Sequence, residues 1–233
     1  MLKNDLILRN PLRLFAASGE SILQPGAFGA VLARAGAGKT AFIVQIALDT
    51  MLHEKKVLHI SLNDPVGKVS LWYQEVFGRM AQQYRIPKFD EIWDEIVRLR
   101  FIMTFQVEGF TVPKLEERLT DLTAQNIFLP DLIIIDGLPF DSGTQGELQD
   151  LKTLASRQNL PVWFTVTTHR HEPPAQDGLP LQFHPVQDLF DVAVTLQPAG
   201  DIIRIKAIKG VSIGQQETPL VLDPATMLIQ TRP

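Results

Sequence analysis

The chain has 233 residues, 45% of them apolar and 21% charged, with a formal charge of −4. That suits one soluble α/β domain with a substantial core and is short for two. The absence of cysteine excludes disulfides, thiolate chemistry and Cys-ligated metals. The acidic balance gives no electrostatic case for tight nucleic-acid binding. No apolar run reaches membrane-spanning length and the start lacks a signal-peptide pattern, so a cytoplasmic location is expected.

Residues 1–25 read as an irregular leader, broken by the turn signals Asn10-Pro11, Ser18-Gly19 and Pro25-Gly26. Its apolar residues, Leu6, Ile7, Leu8, Leu12, Leu14 and Phe15, call for packing on the domain's own edge or on a neighbouring subunit. From residue 26 to 233 a single domain is expected. A strand over 27–32 precedes the glycine-containing run Ala33–Thr40, and a helix follows to near His53. Residues 57–62 read as a second strand. Pro65 opens a helix over 66–83, where Val69, Trp72, Tyr73, Val76 and Phe77 recur at helical spacing. Helical patterning resumes over 90–105 (Ile92, Trp93, Ile96, Val97, Leu99) and over 113–125 (Leu115, Leu119, Leu122), so 66–125 is expected to be a helical region.

Leu132–Ile135 is a continuous apolar run ending in Asp136, as a central parallel strand covered on both faces should be. A helix is expected over 144–158, and strands over 162–167, 191–196, 202–208, 220–222 and 226–229. The alternation at the front and the strand-rich tail predict a mostly parallel sheet flanked by helices, with antiparallel additions at the C-terminal edge.

Ala33-Arg-Ala-Gly-Ala-Gly-Lys-Thr40 spans a Walker A loop, A-x-x-x-x-G-K-T, in the strand–loop–helix setting that holds nucleotide phosphates. Backbone amides from Ala35 through Gly36, Ala37, Gly38, Lys39 and Thr40, reaching Ala41, are expected to surround the β-phosphate at the helix N-terminus. Gly36 and Gly38 permit the close approach. Lys39 should reach the β- and γ-phosphates, and Thr40 should give its hydroxyl to Mg²⁺. Asp136, a carboxylate at the carboxyl end of a buried strand, is the natural Mg²⁺ partner. No Asn-Lys-x-Asp tetrapeptide reads guanine, which favours ATP/ADP as the nucleotide. A small-molecule kinase would need an arginine-rich lid, and Arg79, Arg85, Arg98, Arg100 and Arg118 are dispersed.

The segments 32–41, 57–62, 131–136, 166–169 and 191–196, in that order, resemble the RecA-like P-loop ATPase superfamily. The resemblance is nearest to its replicative DNA helicase (DnaB-type) and circadian clock ATPase (KaiC-type) branches, and runs from about residue 20 to the end. It implies a RecA-like fold and a homo-oligomer, often a hexameric ring or filament, with Mg-ATP at subunit boundaries. It also implies a catalytic acid just after the second strand. Asn63 stands at that position, and an amide cannot act as a general base. Asp64 is adjacent and Glu147 is a remoter candidate; Asp64 can equally be a solvated or helix-capping residue before Pro65.

His169 falls where the superfamily places a polar γ-phosphate sensor. An unremarkable loop residue, or a metal ligand with His171 and Glu172, are the other readings. For the trans-acting pair of the late strand, Lys206 fits the lysine position while Ile208 takes the arginine position. Arg204 and Lys209 could replace its charge but not, for the lysine, its guanidinium fork. On a two-residue repeat Arg204, Lys206 and Ile208 share a face and Lys209 faces away; a solvated edge strand explains these cations as well. The function expected is slow ATP hydrolysis coupled to assembly or conformational change, or else ATP binding by a non-hydrolysing regulatory or scaffold protein. A protein partner fits the acidic balance better than nucleic acid.

Overall fold

A computed structural model describes the chain apart from residues 1, 16–21, 142, 170–174, 176–177, 211–218 and 232–233. The strands are β1 (Phe28–Ala33), β2 (Val57–Ser61), β3 (Arg100–Thr104), β4 (Leu132–Asp136), β5 (Val162–Thr167), β6 (Val192–Ala199), β7 (Ile202–Lys209), β8 (Leu220–Leu222) and β9 (Ile229–Thr231). The helices are α1 (Leu2–Arg9), α2 (Lys39–Leu52), α3 (Val66–Gln83), α4 (Phe89–Ile96), α5 (Val112–Ala124) and α6 (Thr144–Gln158). All strands join one sheet in the order β3-β2-β4-β5-β1-β6-β7-β8-β9. The first six positions pair in parallel, and β7, β8 and β9 are antiparallel additions at one edge. The expected α/β class, parallel centre and antiparallel C-terminal edge are all present.

Two apolar layers cover the sheet. One joins it to α1, α2, α3 and α4 through Leu6, Phe42, Phe77 and Ile96. The other joins it to α5 and α6 through Leu119 and Leu151, and includes the rings of Phe28, Phe164 and Phe190. The unbroken apolarity of β4 follows directly. Leu132 and Ile134 enter the first layer, Ile133 and Ile135 the second, and each such side chain contributes roughly 1.5–3 kcal/mol on burial. Asp136, next in the alternation after Ile135, lies on the α2 side, at the carboxyl edge.

Three expectations need correction. The leader is not irregular: it forms α1 and a 3-10 turn over Pro11–Phe15. It packs on its own domain, with Leu6, Leu12 and Phe15 buried and the Phe15 ring 5.9 Å from that of Phe42. Lys3 bridges Glu54 and Glu95 at 3.1 Å each, and Asn10 donates to Asp49 at 2.7 Å. The 66–125 region is not wholly helical, because Arg100–Thr104 is β3, paired in parallel with β2. No glycine or proline separates it from α4, and its apolar run, Phe101-Ile102-Met103, is too short to stand apart from the helical pattern before it. Finally, the last strand is Ile229–Thr231, since 223–228 is spent on the turn that leads into it.

Candidate functional site

β1 ends at Ala33, in register with Thr167 of β5, and the chain turns through residues 34–38 before α2 begins at Lys39. The turn is closed by the Ala37 amide donating to the Arg34 carbonyl at 3.2 Å. Gly36 and Gly38 have φ of +75° and +90°, values that residues with a Cβ rarely adopt. Among the described residues, the amides of Gly38, Lys39, Thr40 and Ala41 donate to no acceptor in the chain. They are the orphan donors of a helix of 14 residues, pointed the way its dipole favours an anion.

Lys39 folds back along this loop, its Nζ donating to the Ala33 and Arg34 carbonyls at 3.1 Å each. Partial burial lowers its pKa, and Asp136 opposes that shift. Thr40 donates from Oγ1 to Asp136 Oδ2 at 3.1 Å. Asp136 Oδ1 accepts from Thr165 Oγ1 at 2.6 Å, and the same hydroxyl accepts from the Gly137 amide at 3.1 Å. Burial pushes the Asp136 carboxyl above the usual carboxylate range; the Thr165 and Thr40 hydroxyls and Lys39 counter this, while Asp64 adds to it.

Thr165 was not among the sequence candidates. Its one signal was a hydroxyl in the otherwise apolar Val162–Val166 run, where it is now 2% exposed.

Asn63 and the two candidate bases, Asp64 and Glu147, differ in their surroundings. Asn63 lies over Gly137, its Nδ2 3.5 Å from the Gly137 carbonyl, and a Cβ on Gly137 (φ +93°) would collide with that amide. Asp64 donates its amide to Ser61 Oγ at 3.0 Å and pairs its carboxylate with Lys68 at 2.8 Å. It makes no side-chain cap on α3, so the helix-capping alternative is replaced by an ion pair one turn along the chain. Glu147 sits in the first turn of α6, where partial burial, then Asp141 and Asp150, raise its pKa.

His169 is exposed just beyond β5 and lines a cleft of about 440 Å³ with Phe140, Asp141, Gln145 and Leu181, none of them in the Ala33–Thr40 loop. His171 and Glu172 lie outside the described residues. Among those described, no group of three or more His, Asp or Glu could hold a metal. Thr40 and Asp136 nevertheless fit Mg²⁺ arriving with phosphates, because that ion keeps several waters and takes few protein oxygens.

Arg204 and Lys206 are exposed on the same face of β7, and Ile208 packs beside them on the α5–α6 layer. β7 lies between β6 and β8, but β8 pairs only with Ile203 and Arg204, so the half carrying Lys206 and Lys209 has no strand partner on that side among the described residues. Lys209 does not simply face away, because a bulge skips Ile208 in the pairing of β7 with β6. Its Nζ donates to the Gln187 carbonyl at 2.9 Å.

No helix among the described residues is long and apolar enough to cross a membrane. No protein-family model matches the chain, and no curated protein matches it.

Proposed function

We propose that this chain binds Mg-ATP at the Ala33–Thr40 loop as a RecA-like ATPase, hydrolysing it slowly in step with assembly or a conformational change. The observation that carries the reading is the Thr40–Asp136 contact of 3.1 Å beside a helix N-terminus whose first amides have no acceptor among the described residues. A hydroxyl, a carboxylate, a lysine and free amides converge where a phosphate chain with its cation would sit. The mostly parallel sheet with an antiparallel C-terminal edge supports a RecA-like core.

In this reading the amides of Gly38, Lys39, Thr40 and Ala41, unpaired among the described residues, bind the β-phosphate oxygens. Lys39 exchanges two neutral carbonyl acceptors for anionic oxygens, which make stronger bonds. A bound Mg²⁺ would supply neutralisation of the phosphate charge. Asp136 and Thr40 hold its place, and Thr165 fixes the carboxylate. Asp64 orients the attacking water and accepts its proton, once its carboxylate leaves Lys68. A γ-phosphate sensor role for His169 would require it to turn from the cleft it lines toward the loop. Arg204 and Lys206 are exposed to a neighbouring copy in a ring, whereas Lys209 would first have to leave the Gln187 carbonyl.

The non-hydrolysing alternative is favoured by a separate observation: an amide, Asn63, lies over Gly137, and the adjacent carboxylate, Asp64, is engaged with Lys68. One experiment tests both. ATP binding and phosphate release are measured on the purified protein, with Lys39→Ala as blank. Binding with turnover above the blank supports the hydrolase; binding with turnover at the blank selects the regulatory module; no binding refutes both. Solution mass with and without Mg-ATP tests assembly, and a persistent monomer removes the ring.

A further inference from the structure

The C-terminal hairpin is built directly onto the phosphate loop. Leu222 of β8 lies so close to Gly38 that a Cβ there would collide with a leucine methyl, and Met227 Sδ is 3.5 Å from the same point. Gln45, in the second turn of α2, is 3% exposed and spans the gap between that helix and the turn following β8. Its Nε2 donates to the carbonyls of Ala41 and Met227, both at 3.0 Å, and its Oε1 accepts the Ile229 amide at 2.8 Å. A carboxamide can donate two hydrogen bonds and accept others at once, and a buried one is retained where those bonds are made.

Arg79 of α3 adds a second tether, donating to the Thr226 carbonyl at 3.0 Å. The turn is itself stiff. Asp223 accepts from the Ala225 amide at 3.0 Å and the Thr226 hydroxyl at 2.8 Å, and Met227 is held at φ +56°.

We infer that Gln45 is a positioning residue for the phosphate loop: it clamps the β8–β9 turn onto α2, so that Leu222 braces Gly38 and loop and turn respond to nucleotide together. The inference rests on the nucleotide-binding reading above. Its physical basis is close packing. The backbone at Gly38 has no side chain to separate it from Leu222, so a shift of the loop toward a ligand displaces the leucine, and the Gln45 bonds pass that displacement to residues 223–229.

The test combines ATP affinity with hydrogen–deuterium exchange of segments 34–41 and 223–229, with and without Mg-ATP. In the native protein Mg-ATP should slow exchange in both segments. Gln45→Met keeps the volume and removes the three bonds; ATP affinity should fall about tenfold, and the turn should stop responding while the loop still does. Leu222→Ala, which leaves the Gln45 bonds in place, should uncouple the segments in the same direction to a smaller extent, and Lys3→Ala should leave both responses native. The inference is overturned if native residues 223–229 ignore Mg-ATP while the loop responds, or if the folded Gln45 and Leu222 variants bind ATP with native affinity. A native protein that binds no ATP removes the nucleotide reading and this inference together. One that binds ATP with an unresponsive turn removes this inference alone.

Discussion

Thr40 and Asp136 are 96 positions apart, yet the threonine hydroxyl donates to the carboxylate at 3.1 Å. The sheet order makes this contact: β5 alone separates β1 from β4, so the start of α2 and the end of β4 open on the same edge. Thr165, on that intervening β5, fixes the other carboxylate oxygen. A buried acid oriented from both sides with a lysine nearby is costly in isolation and suited to a cation.

Lys39→Ala should weaken ATP binding by about 100-fold or more, since a charge-assisted contact to phosphate is lost. The fold should survive, because losing the two bonds to carbonyls is offset by relieving the partial burial of the ammonium. Calorimetric titration and a thermal melt read the two effects separately.

Asp136→Asn should give opposite signs for stability and binding. The folded state holds the Asp136 proton more tightly than the unfolded chain does, chiefly through burial. Its stabilising contribution is therefore present below the ordinary carboxylate pKa of about 4 and is lost as pH rises through the raised folded value. The variant should be more stable than the native protein at pH 7, with the difference shrinking toward pH 4. Its ATP affinity should lose dependence on Mg²⁺. Urea denaturation across pH and a Mg²⁺ titration check both.

Thr165→Val should destabilise by about 1–2 kcal/mol, because the Gly137 amide loses its acceptor and Asp136 a donor. Thr165→Ser should restore most of the loss. Equal stabilities of the valine and serine variants in urea would show that the hydroxyl does not matter.

His59 should make the fold acid-sensitive. Burial, then the Arg100 guanidinium, lower its pKa to about 3, and its Nδ1 is 2.9 Å from the Tyr73 hydroxyl. The unfolded chain takes up this proton near pH 6.5 and the folded chain does not. Its contribution is thus complete above about 6.5 and lost as pH falls toward 3, by at most about 1.4 kcal/mol per unit. His59→Gln should flatten the stability curve over pH 4–6.5. A slope unchanged from native would assign the acid sensitivity elsewhere.

Asp64→Asn should lower phosphate release by roughly 100-fold if that carboxylate is the base. Asn63→Glu should raise it by a comparable factor, because the new acid would stand over Gly137. Single-turnover measurements decide: an unchanged rate in the first variant removes Asp64 from the mechanism, and in the second removes position 63.

Much of the architecture was legible because its signals are local. The limits of α6, β5 and β8 follow from periodicity and turn residues alone. β3 was missed because an edge strand following a helix without a break carries neither signal strongly. The leader's apolar residues announced that it packs on something; only the tertiary structure showed that the surface is α2 and the core of its own domain. Lys209 was assigned by simple alternation, and a one-residue bulge moved it.

The amino-acid sequence by itself determined the strand–loop–helix around Lys39 and the buried strand ending at Asp136. Both depend on residue types at fixed short spacings, where glycine torsion, helix orphan amides and strand burial act along one segment. Only the tertiary structure decided that Thr165 orients Asp136, that Gln45 ties the last hairpin to α2, and that Asp64 is paired with Lys68. The first two join segments that are distant in the chain, and the third depends on the rotamers chosen there. Periodicity states which face of an element is apolar; which polar group arrives opposite it is settled by strand order, register and packing.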